Sequence, residues 1–61
     1  MLNYLFEIIS DNEFYGENFF VQEKSLAKSW AIVDRYFPNE TCRYIDSFND
    51  EEAEMMGYDT Y

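Results

Sequence analysis

The residues that could do chemistry in this chain are carboxylates. Thirteen Asp and Glu stand against four Lys and Arg, giving a formal net charge of −9, and there is no histidine. The densest run is Asp50, Glu51, Glu52 and Glu54. Gathered in one place, such a run could hold magnesium or supply the acid pair of a carboxylate-only hydrolase. At the start of a helix, however, the same run is what capping and dipole complementarity select, and the spacing of a calcium-binding loop is missing. No metal and no cofactor is therefore expected. The lack of histidine removes the commonest general base, nearly every nucleophilic dyad and most zinc sites. Cys42 is the single cysteine; it falls in an alternating stretch with no imidazole to activate it and reads as a small buried hydrophobe. One thiol allows no intrachain disulfide, which fits a reducing compartment. Gly16 and Gly57 stand alone, so no phosphate-cradling loop is present. A chain this short is also expected to lack room for a ligand pocket of the usual ~300 Å³. The residues point to a protein that is not an enzyme.

The charge balance instead speaks about partners. Neutralising phosphates requires a basic face, so direct nucleic-acid binding is not expected, and anionic membrane surfaces are disfavoured for the same reason. A pI near 4.1 suits a basic protein partner, or serves solubility alone. The N-terminal segment MLNYLFEIIS has no basic leader and is interrupted by Asn3 and Glu7; it reads neither as a signal peptide nor as a membrane span. With Met1 at its head, the chain reads as a complete small cytoplasmic gene product.

Positioning these groups falls to a small set of elements. A chain of 61 residues is one domain at most. It is rich in aromatics, with six Phe, six Tyr and one Trp, and a few such rings can fill a small core. The longest periodic stretch is Glu23 to Phe37. Within it Leu26, Trp30, Val33 and Phe37 fall within about 60° of one another on a wheel of 3.6 residues per turn, forming the apolar stripe of a helix. Ser25 is placed to cap its N-terminus, with Lys28 where a capping-box Glu would sit, and Pro38 ends it. Ile32 and Tyr36 lie on a flank beside Lys28 and Ser29, to be covered by the C-terminal segment or by a second subunit.

Before the helix, Leu2 to Ile9 alternates with Leu2, Tyr4, Phe6 and Ile8 on one side and Asn3, Leu5, Glu7 and Ile9 on the other. A strand apolar on both sides belongs at the centre of its sheet. Asn18 to Gln22 reads as a second strand, with Phe19 and Val21 opposed to Phe20 and Gln22. Between the two, the loop Ser10 to Glu17 carries Phe14 and Tyr15 at its tip. It is expected to fold back and bury one of them, the alternative being a contact patch. Thr41 to Phe48 is a third strand, with Cys42, Tyr44 and Phe48 on one side. A right-handed crossover through the helix makes it parallel to strand two. The expected fold is α+β, in ββαβ order. A three-stranded antiparallel sheet of order 2-1-3 has one main helix on one face, followed by a short C-terminal helix from Asn49 to Met56 that Gly57 terminates.

On this frame the expected function is a non-enzymatic protein-binding module that engages a basic surface, such as a nucleic-acid-handling enzyme presents to phosphates. In size, charge and economy of fold the chain resembles the small acidic proteins that phages and mobile elements make to block host defence, although no family motif accompanies the resemblance. The expected contact residues are Asp50, Glu51, Glu52, Glu54, Tyr58 and Asp59, followed by Glu13, Phe14, Tyr15 and Glu17 in the loop. The alternative is a self-associating module with Ile32, Tyr36, Met55 and Met56 as a homodimer seam.

Overall fold

The computed structural model describes residues 1–61. The N-terminal alternation forms β1 (Leu2–Ile8), paired antiparallel with β2 (Asn18–Glu23) on one side and β3 (Cys42–Phe48) on the other. The sheet order is thus β2-β1-β3, as the two-sided hydrophobicity of β1 requires. Tyr4, Phe6 and Ile8 face one way and form a core with Phe19, Val21 and Val33. Leu5 faces the other way, against Phe20 and Ala53.

Helix α1 (Leu26–Tyr36) covers the first face. It begins at Leu26, where the expected Ser25 cap places it, while Glu23 is held in β2 opposite Leu2. Ser25 caps it, with Oγ accepting from the Lys28 N–H at 3.2 Å. Phe37 closes it by donating its N–H to the Val33 carbonyl at 2.8 Å, directly before Pro38. Trp30 is half-buried and meets the Phe6 ring edge-on at 4.8 Å. Ser29, beside Ile32 on the flank of the apolar stripe, is fully buried. Its hydroxyl donates to the Leu26 carbonyl at 2.6 Å, which satisfies it without a partner from the sheet.

Helix α2 (Asp50–Met56) lies on the opposite face, its Ala53 buried against Leu5 and Phe20. Asn49 and Glu52 form a full capping box, and Gly57 takes the left-handed conformation at φ 75° that ends the helix. The Asn3 amide is 3 % exposed and donates from Nδ2 to Asp50 Oδ1 at 2.7 Å, while Gln22 Nε2 donates to the same oxygen at 3.0 Å. Two strands thus hold the first residue of α2. The sheet is covered on both faces, by α1 along its length and by α2 at one end.

Three sequence expectations are corrected here. Phe48 does not share a side with Cys42 and Tyr44. Asp46 pairs with Leu5 but Tyr44 pairs with Phe6, so Ile45 is an extra residue and the parity of β3 changes at a bulge. Cys42 and Tyr44 therefore pack under α1, while Phe48 packs on Phe20 under α2. Second, the loop between β1 and β2 buries neither of its aromatics, for Phe14 and Tyr15 are both exposed. The loop is ordered by polar contacts instead: the Phe14 N–H donates to Asn12 Oδ1 at 2.8 Å, and Asn12 Nδ2 donates to Glu40 Oε2 at 2.8 Å. Third, the surface does have room for ligands, in open clefts of about 360, 300 and 470 Å³.

The folded chain exposes 4217 Å². Area scaling gives about 4,200 Å² for a compact chain of this mass, so the single chain is compactly folded. No helix is long and apolar enough to cross a membrane.

Candidate partner-binding surface

The last residues of the chain decide where the acidic groups gather. The β2 backbone turns the N–H and C=O of Phe20 and the N–H of Gln22 away from β1, and an open edge of this kind pairs readily with another strand. The chain supplies its own. Phe20 donates to the Asp59 carbonyl at 2.8 Å, Tyr61 donates to the Phe20 carbonyl at 2.8 Å, and Gln22 donates to the Tyr61 carbonyl at 3.2 Å. Residues 59–61 thereby lie parallel to β2 as a short fourth ribbon, centred on the bridge between Phe20 and Thr60.

Strand alternation then sorts the tail's side chains between the two faces. On the α1 side the Tyr61 ring meets Phe19 at 5.6 Å, Phe37 at 5.2 Å and Tyr36 at 5.2 Å. On the α2 side Tyr58 packs on Phe20 at 5.8 Å. Tyr61 is the C-terminal residue that touches Tyr36, and it leaves that side chain 54 % exposed.

A cleft of about 360 Å³ opens where the tail meets the loop, walled by Phe19, Phe37 and Tyr61 and edged by Glu17, Asn18, Tyr58 and Asp59. Glu17 arrives there through the turn at Gly16, whose φ of 86° only glycine adopts freely. The Gly16 N–H donates to the Ile8 carbonyl at 2.8 Å, which anchors the loop to the end of β1. The Asn18 side chain carries an unmet need: its buried Oδ1 has no donor. None of the four basic residues, Lys24, Lys28, Arg35 and Arg43, lines this cleft. Arg43 is engaged elsewhere, its Nε donating to Glu7 Oε1 at 2.7 Å.

The second cleft, about 470 Å³, runs along the α2 side of the same tail past Asp50, Glu54, Tyr58 and Thr60. Tyr58 borders both. The third, about 300 Å³, lies between Phe14 and the turn Tyr36–Glu40 and shares Phe37 with the first.

The expected contact residues are therefore divided differently from their order in the chain. Glu17 and Asp59, 42 positions apart by number, line one cleft together with Tyr58. Asp50 and Glu54 line the cleft behind it. Asp50 is committed to Asn3 and Gln22, which hold its carboxyl below the usual range because both hydrogen bonds favour the charged form. Glu52 is committed to the capping box, its Oε1 accepting from the Asn49 N–H at 3.1 Å. Glu51 and Glu54 are exposed and free of hydrogen bonds within the chain, while Glu13, Phe14 and Tyr15 stand out on the loop.

The seam residues do not form one patch. Ile32 is half-buried against the α1-side core and Tyr36 lies on Tyr61, whereas Met55 and Met56 belong to α2 on the other face. Cys42 packs on the α1-side core, and burial together with the carboxylates of Glu40 and Asp34 pushes its thiol upward. It is protonated at neutral pH and not nucleophilic. No three Asp, Glu or Cys side chains stand close enough together to hold a metal ion.

The reading missed three participants: Phe19, Phe37 and Tyr61. The first two were assigned to the core, which they do join. The third gave no signal beyond its ring, since three residues are too short a strand to show alternation. No protein-family model matches the chain, and neither curated proteins nor solved structures include a match to it.

Proposed function

We propose that this protein is a non-enzymatic binding module of the cytoplasm that engages a basic surface on another protein through its tail edge. The supporting observation is the cleft in which Glu17 and Asp59 meet Tyr58 and Tyr61 with no cation of the chain to neutralise them. Two carboxylates beside a wall of rings suit a cationic partner. The charge steers the encounter, and the rings give anchors that exclude water. The remaining carboxylates of α2, above all Glu51 and Glu54, extend the negative field round the same tail. A protein of this kind can occupy a groove made for phosphates, which is the behaviour of the small acidic inhibitors of phages and mobile elements.

The test is capture on the immobilised chain at low and high salt, with two sets of variants. The reading predicts basic partners that salt releases. Glu17→Gln with Asp59→Asn should weaken capture more than Glu51→Gln with Glu54→Gln. Capture that is indifferent to salt and to both pairs would refute it. Self-association has one observation in its favour, the exposure of Met55 at 83 %. A single 7.4 kDa species in light scattering would remove it.

A further inference from the structure

The geometry points to a more specific ligand for the tail cleft: one arginine side chain of the partner, its guanidinium seated between Glu17 and Asp59 and stacked on the aromatic corner. This rests on the reading above and narrows it from a basic surface to one group.

The corner is built by Phe37 and Tyr61, whose rings stand 80° apart with centroids 5.2 Å from each other. Phe19, almost fully buried and stacked on Phe37 at 4.5 Å, closes the floor. Tyr61 keeps 40 % of its surface exposed and Phe37 is half-buried, so ring surface remains open to a guest. A cation over such a ring gains from the negative face of its π-system.

Two features favour guanidinium over ammonium. A planar group can lie flat on one ring, as the tetrahedral head of lysine cannot. Its forked donors can serve two carboxylates at once, and Glu17 and Asp59 border the cleft with no cation of the chain beside them. At about 360 Å³ the cleft is at the small end of ligand sites and holds a side chain, not a folded element.

The test uses the full chain, labelled with nitrogen-15, and N-acetyl-arginine methylamide as the probe at constant ionic strength. The expected result is a saturable shift of backbone signals confined to residues 16–19 and 58–61. N-acetyl-citrulline methylamide has the same shape without the charge and should bind about tenfold more weakly or worse, the equivalent of one charge-assisted hydrogen bond. Tetramethylammonium, a cation without N–H donors, and N-acetyl-lysine methylamide should also fall below arginine. Glu17→Gln with Asp59→Asn should abolish the shift, as should Tyr61→Leu. Glu51→Gln with Glu54→Gln should leave it, and unchanged core signals in each variant confirm the fold.

Equal binding of citrulline, or of lysine or tetramethylammonium, overturns the assignment, as do shifts spread evenly over the carboxylates of α2. The two levels of the proposal fail separately. Salt-sensitive capture of a basic protein without an arginine effect sinks only the guanidinium pocket. An arginine effect without any captured partner sinks the broader reading.

Discussion

Phe20 holds Asp59: the N–H of the one donates to the carbonyl of the other at 2.8 Å, on the outer edge of the sheet. Phe20 is itself completely buried, between Leu5 and Ala53 on its side-chain face. A rigid core residue thus fixes the backbone of an exposed acidic one. The charge of the tail is held in register with Glu17 without any salt bridge. The same bond also covers an edge that would otherwise pair with other chains.

Tyr61→Ala should destabilise the fold by about 1–2 kcal/mol, since a half-exposed ring loses part of the burial and stacking of a full one. Urea unfolding followed by circular dichroism measures this. A loss below the noise of the fit would mean that the tail is not packed on Phe19 and Phe37.

Phe6→Ala should cost about 3–5 kcal/mol, as the ring is fully buried between Phe19, Trp30 and Tyr44. The emission of Trp30, which meets Phe6 edge-on, should lie to the blue of free indole and move to the red on unfolding. Emission already at the solvent position in the folded state would contradict the packing of α1.

Asp50 gives a pH signature. Its carboxyl is held below its ordinary value of 3.8 by the amides of Asn3 and Gln22. A lowered folded-state pKa adds stability that is present above the unfolded value and is lost as pH falls through the folded one. Stability should therefore drop as the solution is acidified below about pH 4, and Asn3→Ala should flatten that part of the curve. Carbon-detected titration of Asp50 should show a midpoint below 3.8 in the parent chain and a higher one in the variant. Identical midpoints would remove the two hydrogen bonds from the account.

The bulge in β3 predicts that two changes at one position cost alike. Ile45→Ala should cost about 1 kcal/mol, because the side chain is more than a third exposed. Deleting Ile45 should be tolerated about as well, since Asp46 then follows Tyr44 with its pairing to Leu5 intact and Phe48 stays opposite Asn3 on the α2 side. Thermal unfolding of both variants decides it. A far larger loss on deletion than on substitution would mean that β3 pairs without a bulge.

What the residues announced in advance was periodicity. Leu2 to Ile9 alternates without interruption, and the helical stripe of Leu26, Trp30, Val33 and Phe37 recurs over three turns, so strand, helix and strand order were all legible. Parity was not. Ile45 carries no glycine or proline to mark a bulge, and Phe48 looked aligned with Tyr44 simply by counting in twos. Nor was the layer of α2 legible, for seven residues with one buried side chain, Ala53, show no stripe. The capping box of Asn49 and Glu52 was visible as a pattern, and it singles out Asn49 as the cap with the helix starting at Asp50. The candidate site was half legible. Glu17 and Asp59 were marked by charge, but the pairing that brings them together depends on three residues of backbone at the end of the chain.

The central claim is that the tail is docked on β2 and so creates the cleft. Hydrogen exchange at the amides of Phe20 and Gln22 tests it most directly, because these two donors have only the tail to bind. The account predicts slow exchange for both in the full chain, and fast exchange in a chain ending at Gly57 that still protects the amides shared by β1 and β3. Fast exchange at Phe20 and Gln22 in the intact, folded protein would contradict it.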